Sequence, residues 1–373
     1  MRILFAGGGT GGHFFPILAL VREIRRAAEE ERFSDFELFY MSPDEFGYDL
    51  MEREGVIPVK ISSGKWRNYF SILNFLDMFR LAFGVWEALW NFFLIVPDVV
   101  FVKGGYGSLP AVIAAVLFRI PIFVHESDAV PGKVSRFAAR HAQRIAVAFE
   151  SASEYFPKGK TAIIGIPIRK NILGGRKEDA RADLNVFSDL PAIGFIGGSQ
   201  GAEKINSVVL NALRELTASY EILHQTGERH CDSVKKEAGI IFSGSPESVR
   251  YHPFGFLDED QTRMFYAASD LIVSRAGGTA IYEIALWGKP AILIPLRAAM
   301  QDHQTKNAYE YAAQGAAHVI EEENITPHLL LAEIKKIISN PEDLKKMSFA
   351  AQRFAKIDAG EVIARELLKL GIH

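Results

Sequence analysis

Four times in 373 residues the chain runs from an apolar stretch of strand length into a glycine-rich turn and then into a helical pattern. The first copy is Arg2 to Ala6 followed by Gly7-Gly8-Gly9-Thr10-Gly11-Gly12. The others are Val99 to Val102 with Lys103-Gly104-Gly105-Tyr106-Gly107-Ser108, Ala192 to Ile196 with Gly197-Gly198-Ser199-Gln200-Gly201, and Leu271 to Ser274 with Arg275-Ala276-Gly277-Gly278-Thr279. Glycine lets the backbone approach a ligand closely, and the unpaired N–H groups at a helix start carry partial positive charge. Repeated in this way, the pattern exceeds what turn-making requires and predicts a shared cleft at the carboxyl ends of strands.

Strands alternate with helices throughout, which predicts an α/β chain with parallel sheets covered on both faces. The length predicts two domains, and 49% hydrophobic against 23% charged residues suits sizeable cores. The first domain is read over 1–164, with strands near 2–6, 36–41, 57–61, 98–102, 121–124 and 144–148. The second is read over 165–351, with strands near 192–196, 220–224, 250–254, 270–274, 291–294 and 317–320, and a helix near 352–373 is expected to pack back on the first. The loops that open the two halves lie 190 positions apart, so two facing, doubly wound Rossmann-like domains are the simplest arrangement. A net charge of −3 leaves no overall nucleic-acid footprint, and no nucleic-acid partner is expected. The single cysteine, Cys231, and an opening on strand one without a secretory leader make the cytoplasm the expected compartment.

The first loop carries the most chemistry. Gly7, Gly9 and Gly12 satisfy the dinucleotide pattern G-x-G-x-x-G, but that pattern calls for an acidic residue about 20 positions on. The first carboxylate after strand two is Asp44, 32 positions past Gly12, which disfavours a nicotinamide or flavin enzyme. Pro16 fits the first turn of the following helix. His13 then stands at the helix mouth, either as an N-terminal cap in a tight turn or as a proton-transfer group.

The segments GGGTGGHFFP at 7–16, HESDAVPGKVSR at 125–136, GIPIR at 165–169, GGSQGAEKIN at 197–206, SRAGGTAIYEIALWGKPAILIP at 274–295 and DHQTKNA at 302–308 resemble, in order and spacing, the MurG family of inverting glycosyltransferases. The resemblance covers nearly the whole chain. It implies the GT-B fold and transfer of N-acetylglucosamine from UDP-N-acetylglucosamine to the 4-hydroxyl of an undecaprenyl-pyrophosphoryl-muramyl-pentapeptide, in peptidoglycan synthesis. It implies further that the donor is held mostly by the second domain and that no cofactor or metal is obligatory. The enzyme would be peripheral, on the cytoplasmic face of the plasma membrane, with cell-wall synthesis proteins as further partners.

For the donor the resemblance implies Thr10, Gly11, Gly12, Asp128, Arg169, Ser199, Gln200, Leu257, Arg275, Gly278, Thr279, Glu283 and Gln304. Glu283 would accept from the ribose diol, or serve as a first-turn helix carboxylate. Gln304 would read sugar hydroxyls, or be a solvated helix residue. Arg169 would act near the donor, or be an exposed arginine between domains. His13 suits the general base that takes the acceptor proton; Glu126 is the rival, unless it bonds backbone or orients His125. Gly104, Gly105, Tyr106, Lys133, Arg136 and Arg140 are implied on the acceptor and membrane side. Two departures stand out. The family's HEQN reads His125-Glu126-Ser127-Asp128, so that if Asp128 faces the acceptor pyrophosphate a neighbour such as Lys133 or Arg136 must offset the repulsion, and Gly278-Thr279-Ala280 shifts the hydroxyl by one position. Asp258-Glu259-Asp260 superficially resembles a metal-binding DxD but reads as a solvated turn.

Residues 69–96 are conspicuously aromatic, yet Asp77, Arg80 and Glu87 interrupt any uncharged run of spanning length. The segment reads as an interfacial helix or as a core helix of the first domain. Lys133, Arg136, Arg140 and Arg144 are spaced for one helix face, facing anionic lipid or simply water. Transfer of another sugar to a diacylglycerol, a UDP-sugar epimerase and a catalytically dead nucleotide sensor are the competing readings.

Overall fold

The computed structural model describes residues 1–8, 11–31, 35–64, 72–198, 201–297 and 302–372. The expected ligand residues Thr10, Ser199 and Gln200, and positions 69–71 of the aromatic segment, lie outside the described residues. The chain divides into two compact units, Met1–Arg169 with Lys356–His373, and Lys170–Ala355. Arg169 therefore belongs to the first.

The first unit is built on β1 (Arg2–Ala6), β2 (Glu37–Ser42), β3 (Val56–Lys60), β4 (Val99–Val102), β5 (Ile122–Glu126), β6 (Arg144–Val147) and β7 (Thr161–Ile163). They form one parallel sheet in the order β3-β2-β1-β4-β5-β6-β7. Its helices are α1 (Gly11–Glu30), α2 (Tyr48–Arg53), α3 (Ile72–Ile95), α4 (Leu109–Phe118) and α5 (Lys133–Ala139). The second unit holds α6 (Lys177–Asp183), β8 (Ala192–Ile196), α7 (Glu203–Asn211), α8 (Leu213–Ser219), β9 (Glu221–Gln225), α9 (Cys231–Phe242), β10 (Tyr251–Phe254), α10 (Glu259–Ala268), β11 (Leu271–Ser274) and α11 (Gly278–Leu286). It continues with β12 (Ala291–Leu293), α12 (His303–Ala313), β13 (Ala317–Val319), α13 (Pro327–Ile338) and α14 (Pro341–Phe354). Its sheet is also parallel, in the order β10-β9-β8-β11-β12-β13.

The central strands β1, β4, β5, β8 and β11 are apolar because both faces of each sheet are covered, as in parallel sheets generally. In the first unit Ile3 and Phe5 join one core with Ile17 and Leu20 of α1, while Leu4 and Ala6 join the other with Ala88 and Phe92 of α3. The last helix, α15 (Ala359–Gly371), contributes Ile363, Ala364, Leu367 and Leu368 to the α1 side of the first unit. Twelve strands fall within two residues of the positions read from sequence. The thirteenth, β7, is a three-residue edge strand with Ala162 and Ile163 exposed, too short to show an alternating pattern.

Two local expectations are corrected. Helix α1 begins at Gly11, so Pro16 lies inside it rather than in its first turn, where it cannot donate to the Gly12 carbonyl. His13 is correspondingly a residue within the helix and not its cap. The proposed basic face 133–144 is also broken. Helix α5 ends at Ala139 because Arg144 must pair with Phe123 in the sheet, and the Gln143 N–H already donates to the Ile122 carbonyl.

Candidate active site

In both sheets strand order reverses beside the first strand, between β1 and β4 and between β8 and β11. Connections leave these neighbouring strands in opposite directions and open a crevice at their carboxyl ends. The four glycine-rich turns are the segments that follow these four strands. Their recurrence in the sequence thus marks two topological switch points, one in each unit.

At the first switch point, Gly8 has φ +124°, a backbone that favours glycine, and its carbonyl oxygen lies 3.0 Å from His13 Nδ1. A carbonyl only accepts, so Nδ1 carries the proton, and in the neutral ring Nε2 is the basic nitrogen. From β4 comes Gly105, with φ +77°; a Cβ there would stand 2.8 Å from His13 Cε1. The second glycine turn thus packs directly on the histidine. Gly104 is buried, and the Tyr106 carbonyl accepts from Ser63 Oγ at 2.8 Å. Gly11 is buried in the first turn of α1 and Gly12 is exposed. Arg169 is buried, with its guanidinium 4.0 Å from the centre of the Phe15 ring, so the alternative of an exposed arginine is set aside.

Glu126 ends β5 with both carboxylate oxygens engaged. Oε1 accepts from the Ser127 and Asp128 N–H groups at 2.9 and 3.1 Å, and Oε2 from Gly132 N–H at 3.3 Å. This is the backbone-bonding alternative, and it clamps the turn that leads into α5. His125 is held by the Gly165 carbonyl, 2.8 Å from its Nε2, rather than by Glu126. Burial, reinforced by Asp128, raises the Glu126 carboxyl above the ordinary carboxylate value.

The cation facing this cluster is one that sequence reasoning missed. Lys103, 1% exposed at the end of β4, donates from Nζ to Ser127 Oγ. Burial lowers its pKa to about 8, and Glu126 and Asp128 oppose that shift without cancelling it. Lys133 is exposed, and Arg136 donates to the Pro131 carbonyl and stacks 4.5 Å from the Tyr155 ring centre. Arg140 is exposed at the end of α5, and Arg144 pairs with Glu366 at 2.8 Å. A charged residue in the otherwise apolar run VVFVK was the available signal for Lys103.

At the second switch point, Arg275 pairs with Glu322 and donates to the Ile294 carbonyl at 3.3 Å. Gly277 caps α11, so Gly278 and Thr279 stand in its first turn, where N–H groups favour an anion. Glu283 lies in the second turn, which removes the first-turn alternative; its Oε2 accepts from the Tyr266 hydroxyl at 3.2 Å. Gln304 Oε1 accepts from the Leu296 N–H at 3.0 Å, and Asn307 donates to the Ala276 carbonyl at 3.0 Å. Helix α12 is therefore tied to the turns after both β11 and β12, bringing Gln304 to the same sheet end as Arg275. Leu257 is buried after β10, three strand positions from β11. Asp258 is the N-cap of α10, accepting from Gln261 N–H at 2.8 Å, and Asp260 pairs with Arg263 at 2.9 Å. Among the described residues no group of three His, Cys, Asp or Glu is placed to hold a metal.

The two units together have the GT-B architecture, with 99% of this chain matching 99% of the crystal structure of Acinetobacter baumannii MurG at a TM-score of 0.72 and 24% identity. A UDP-GlcNAc 2-epimerase from Neisseria meningitidis bound to UDP-GlcNAc shares the fold at a TM-score of 0.68 and 15% identity, over 99% of this chain and all of that one. Residues 3–147 match the glycosyltransferase family 28 N-terminal domain and residues 192–362 the glycosyltransferase family 28 C-terminal domain. A Bacillus cereus protein named UDP-N-acetylglucosamine--N-acetylmuramyl-(pentapeptide) pyrophosphoryl-undecaprenol N-acetylglucosamine transferase 2 is 35% identical over 92% of this chain and 93% of its own length. A Bacillus cytotoxicus protein, its name identical but for the final number, is 33% identical over 99% of both chains. The chain belongs to glycosyltransferase family 28.

Proposed function

We propose that the chain transfers N-acetylglucosamine, with inversion, from UDP-N-acetylglucosamine to the 4-hydroxyl of the muramyl sugar of undecaprenyl-pyrophosphoryl-muramyl-pentapeptide. The names of its relatives supply the substrates, and the observation that carries the chemistry is the His13 ring, whose bond to the Gly8 carbonyl makes Nε2 the basic nitrogen. The acceptor hydroxyl attacks the anomeric carbon as its proton passes to Nε2, and UDP departs with the electron pair of the broken bond. The N-terminus of α11 and Arg275 suit the negative charge that grows on the diphosphate. Glu283 suits the ribose diol, and Gln304, with its oxygen already used, offers amide hydrogens to the sugar. With the muramyl-lipid acceptor present, label from UDP-N-acetylglucosamine is expected in a lipid-extractable product. No transfer under those conditions would overturn the reading.

The same reading makes the protein peripheral on the cytoplasmic face of the plasma membrane, with α3 as its contact. Phe79, Phe83, Trp86, Trp90 and Phe93 are exposed and spaced four, three, four and three apart, one continuous stripe. The opposite side of the helix places Ala88, Phe92 and Ile95 in the core. By length and mean hydropathy, 1.3, the segment Asp77–Ile95 could cross a bilayer, but its core-packed face favours lying in the interface. Replacing Trp86, Trp90 and Phe93 together by serine is expected to weaken binding to anionic vesicles by at least about tenfold. Flotation should show this with UDP binding retained; unchanged flotation would remove α3 as the contact.

A further inference from the structure

A cavity of about 530 Å³ lies wholly within the first unit, lined by Ser62, Ser63 and Lys60 near the end of β3, by α3 and by Tyr106. Helix α3 carries three charged residues in its 24, Asp77, Arg80 and Glu87, and all three line this cavity. Their spacing of three and seven sets them on one face, beside the exposed aromatic stripe and apart from it. The face is built into the fold: a Cβ on Gly84, between Arg80 and Glu87, would meet the Ser62 carbonyl oxygen, and Glu87 Oε2 accepts from the Ser62 N–H at 2.5 Å. Asp77 has a side chain 8% exposed and meets Arg80, itself 69% exposed, at 3.4 Å. The walls therefore carry a sheltered carboxylate, Asp77, in contact with Arg80, and a second cation, Lys60, which pairs with Glu45 at 2.6 Å; both cations are largely exposed and suited to a further carboxylate.

We propose that this cavity binds the peptide stem of the acceptor. The inference rests on the muramyl-peptide acceptor assigned above. A muramyl sugar bears its peptide, through a lactyl ether, on the ring carbon next to the one that carries the attacking hydroxyl. If His13 takes the proton of that hydroxyl, the stem must leave from beside His13. Gly105 packs on the His13 ring, Tyr106 follows it in the chain, and Tyr106 lines the cavity with Ser63 bonded to its carbonyl. A five-residue stem spans at most about 17 Å when extended, and Tyr106 is the cavity-lining residue next in the chain to the glycine packed on His13. A peptide stem ends in a free carboxylate, the group to which the exposed cations Arg80 and Lys60 are suited.

The test compares kcat/KM for a stem-bearing lipid acceptor with that for the same acceptor cut back to the lactyl amide, using the full chain. The parent is expected to prefer the stem-bearing acceptor by roughly ten- to a hundredfold, mostly through KM, and Asp77→Asn with Arg80→Gln should reduce that ratio at least about fivefold. Calorimetry with soluble muramyl-pentapeptide provides a readout without turnover, with binding to the parent and loss in the double variant expected. Equal kcat/KM for both acceptors in the parent overturns the proposal even if transfer is fast. Binding of the soluble peptide that depends on Asp77 and Arg80, with no transfer to either acceptor, upholds the cavity and instead overturns the assigned reaction. A thermal transition at the parent temperature confirms that the variants fold.

Discussion

Replacing His13 by alanine is expected to lower turnover by about 10²- to 10⁴-fold, the range typical for losing a positioned general base, while UDP-N-acetylglucosamine affinity changes by less than about threefold. The expectation follows from the tautomer. The Gly8 carbonyl holds Nδ1 as a donor, leaving Nε2 as the nitrogen that can take a proton. Protonation of Nε2 abolishes that capacity, so kcat of the parent should fall with unit slope toward acid pH, and this limb should disappear in the variant. Steady-state kinetics across pH checks both statements. An acid limb that survives in His13→Ala would assign the base elsewhere, and a large loss of donor affinity would make His13 a binding residue.

Replacing Lys103 by methionine is expected to destabilise the first unit by about 3–5 kcal/mol, because it leaves the mutually repelling Glu126 and Asp128 without the buried cation that opposes their repulsion. For a unit of this size the loss corresponds to a fall of roughly 10 °C in its thermal midpoint. Charge balance, rather than the lysine itself, is what the site requires. Adding Asp128→Asn to Lys103→Met should therefore recover more than half of the loss. The sign with pH follows from Glu126, whose folded-state pKa is raised by burial and by Asp128 and should rise further once Lys103 is gone. A raised pKa means stability present below the unfolded value and lost as pH rises through the folded one. The deficit should therefore be smaller near about pH 5 than near about pH 8. Differential scanning calorimetry of the two variants at both pH values decides this; failure of Asp128→Asn to recover stability would show that Lys103 acts through packing alone.

Much of the fold was legible in the sequence because parallel strands buried on both faces are continuous apolar runs, and glycines mark where the chain turns at their ends. Strands β1 and β8, each opening into a glycine turn, fixed the two-domain reading without any contact information. Errors occurred where local pattern competed with a distant partner. Lys133, Arg136, Arg140 and Arg144 have helical spacing, yet sheet pairing of Arg144 with Phe123 ends the helix at Ala139. Asp258 looked like part of an acidic turn and proved to be a helix cap, a role its spacing to Gln261 already permitted. For the aromatic segment the structure places one face of α3 in the core and leaves an aromatic face exposed, a division that adjacent aromatic residues along the chain do not reveal.

By itself the sequence determined the α/β class, the positions of twelve strands, the four turns that carry the candidate chemistry and, through resemblance, the family. Spacing along a chain reports which residues share a face of one element, and that is enough for periodic strands and helices. Only the tertiary structure decided that Lys103 is buried beside the Glu126 turn and donates to Ser127, that Glu126 is a clamp, and that the Gly8 carbonyl sets the tautomer of His13. It also decided that the charges of α3 line one cavity with Tyr106. Each of these is a meeting of side chains from different elements in a dry or half-dry place, where a partner's identity depends on which strands neighbour one another and not on distance along the chain.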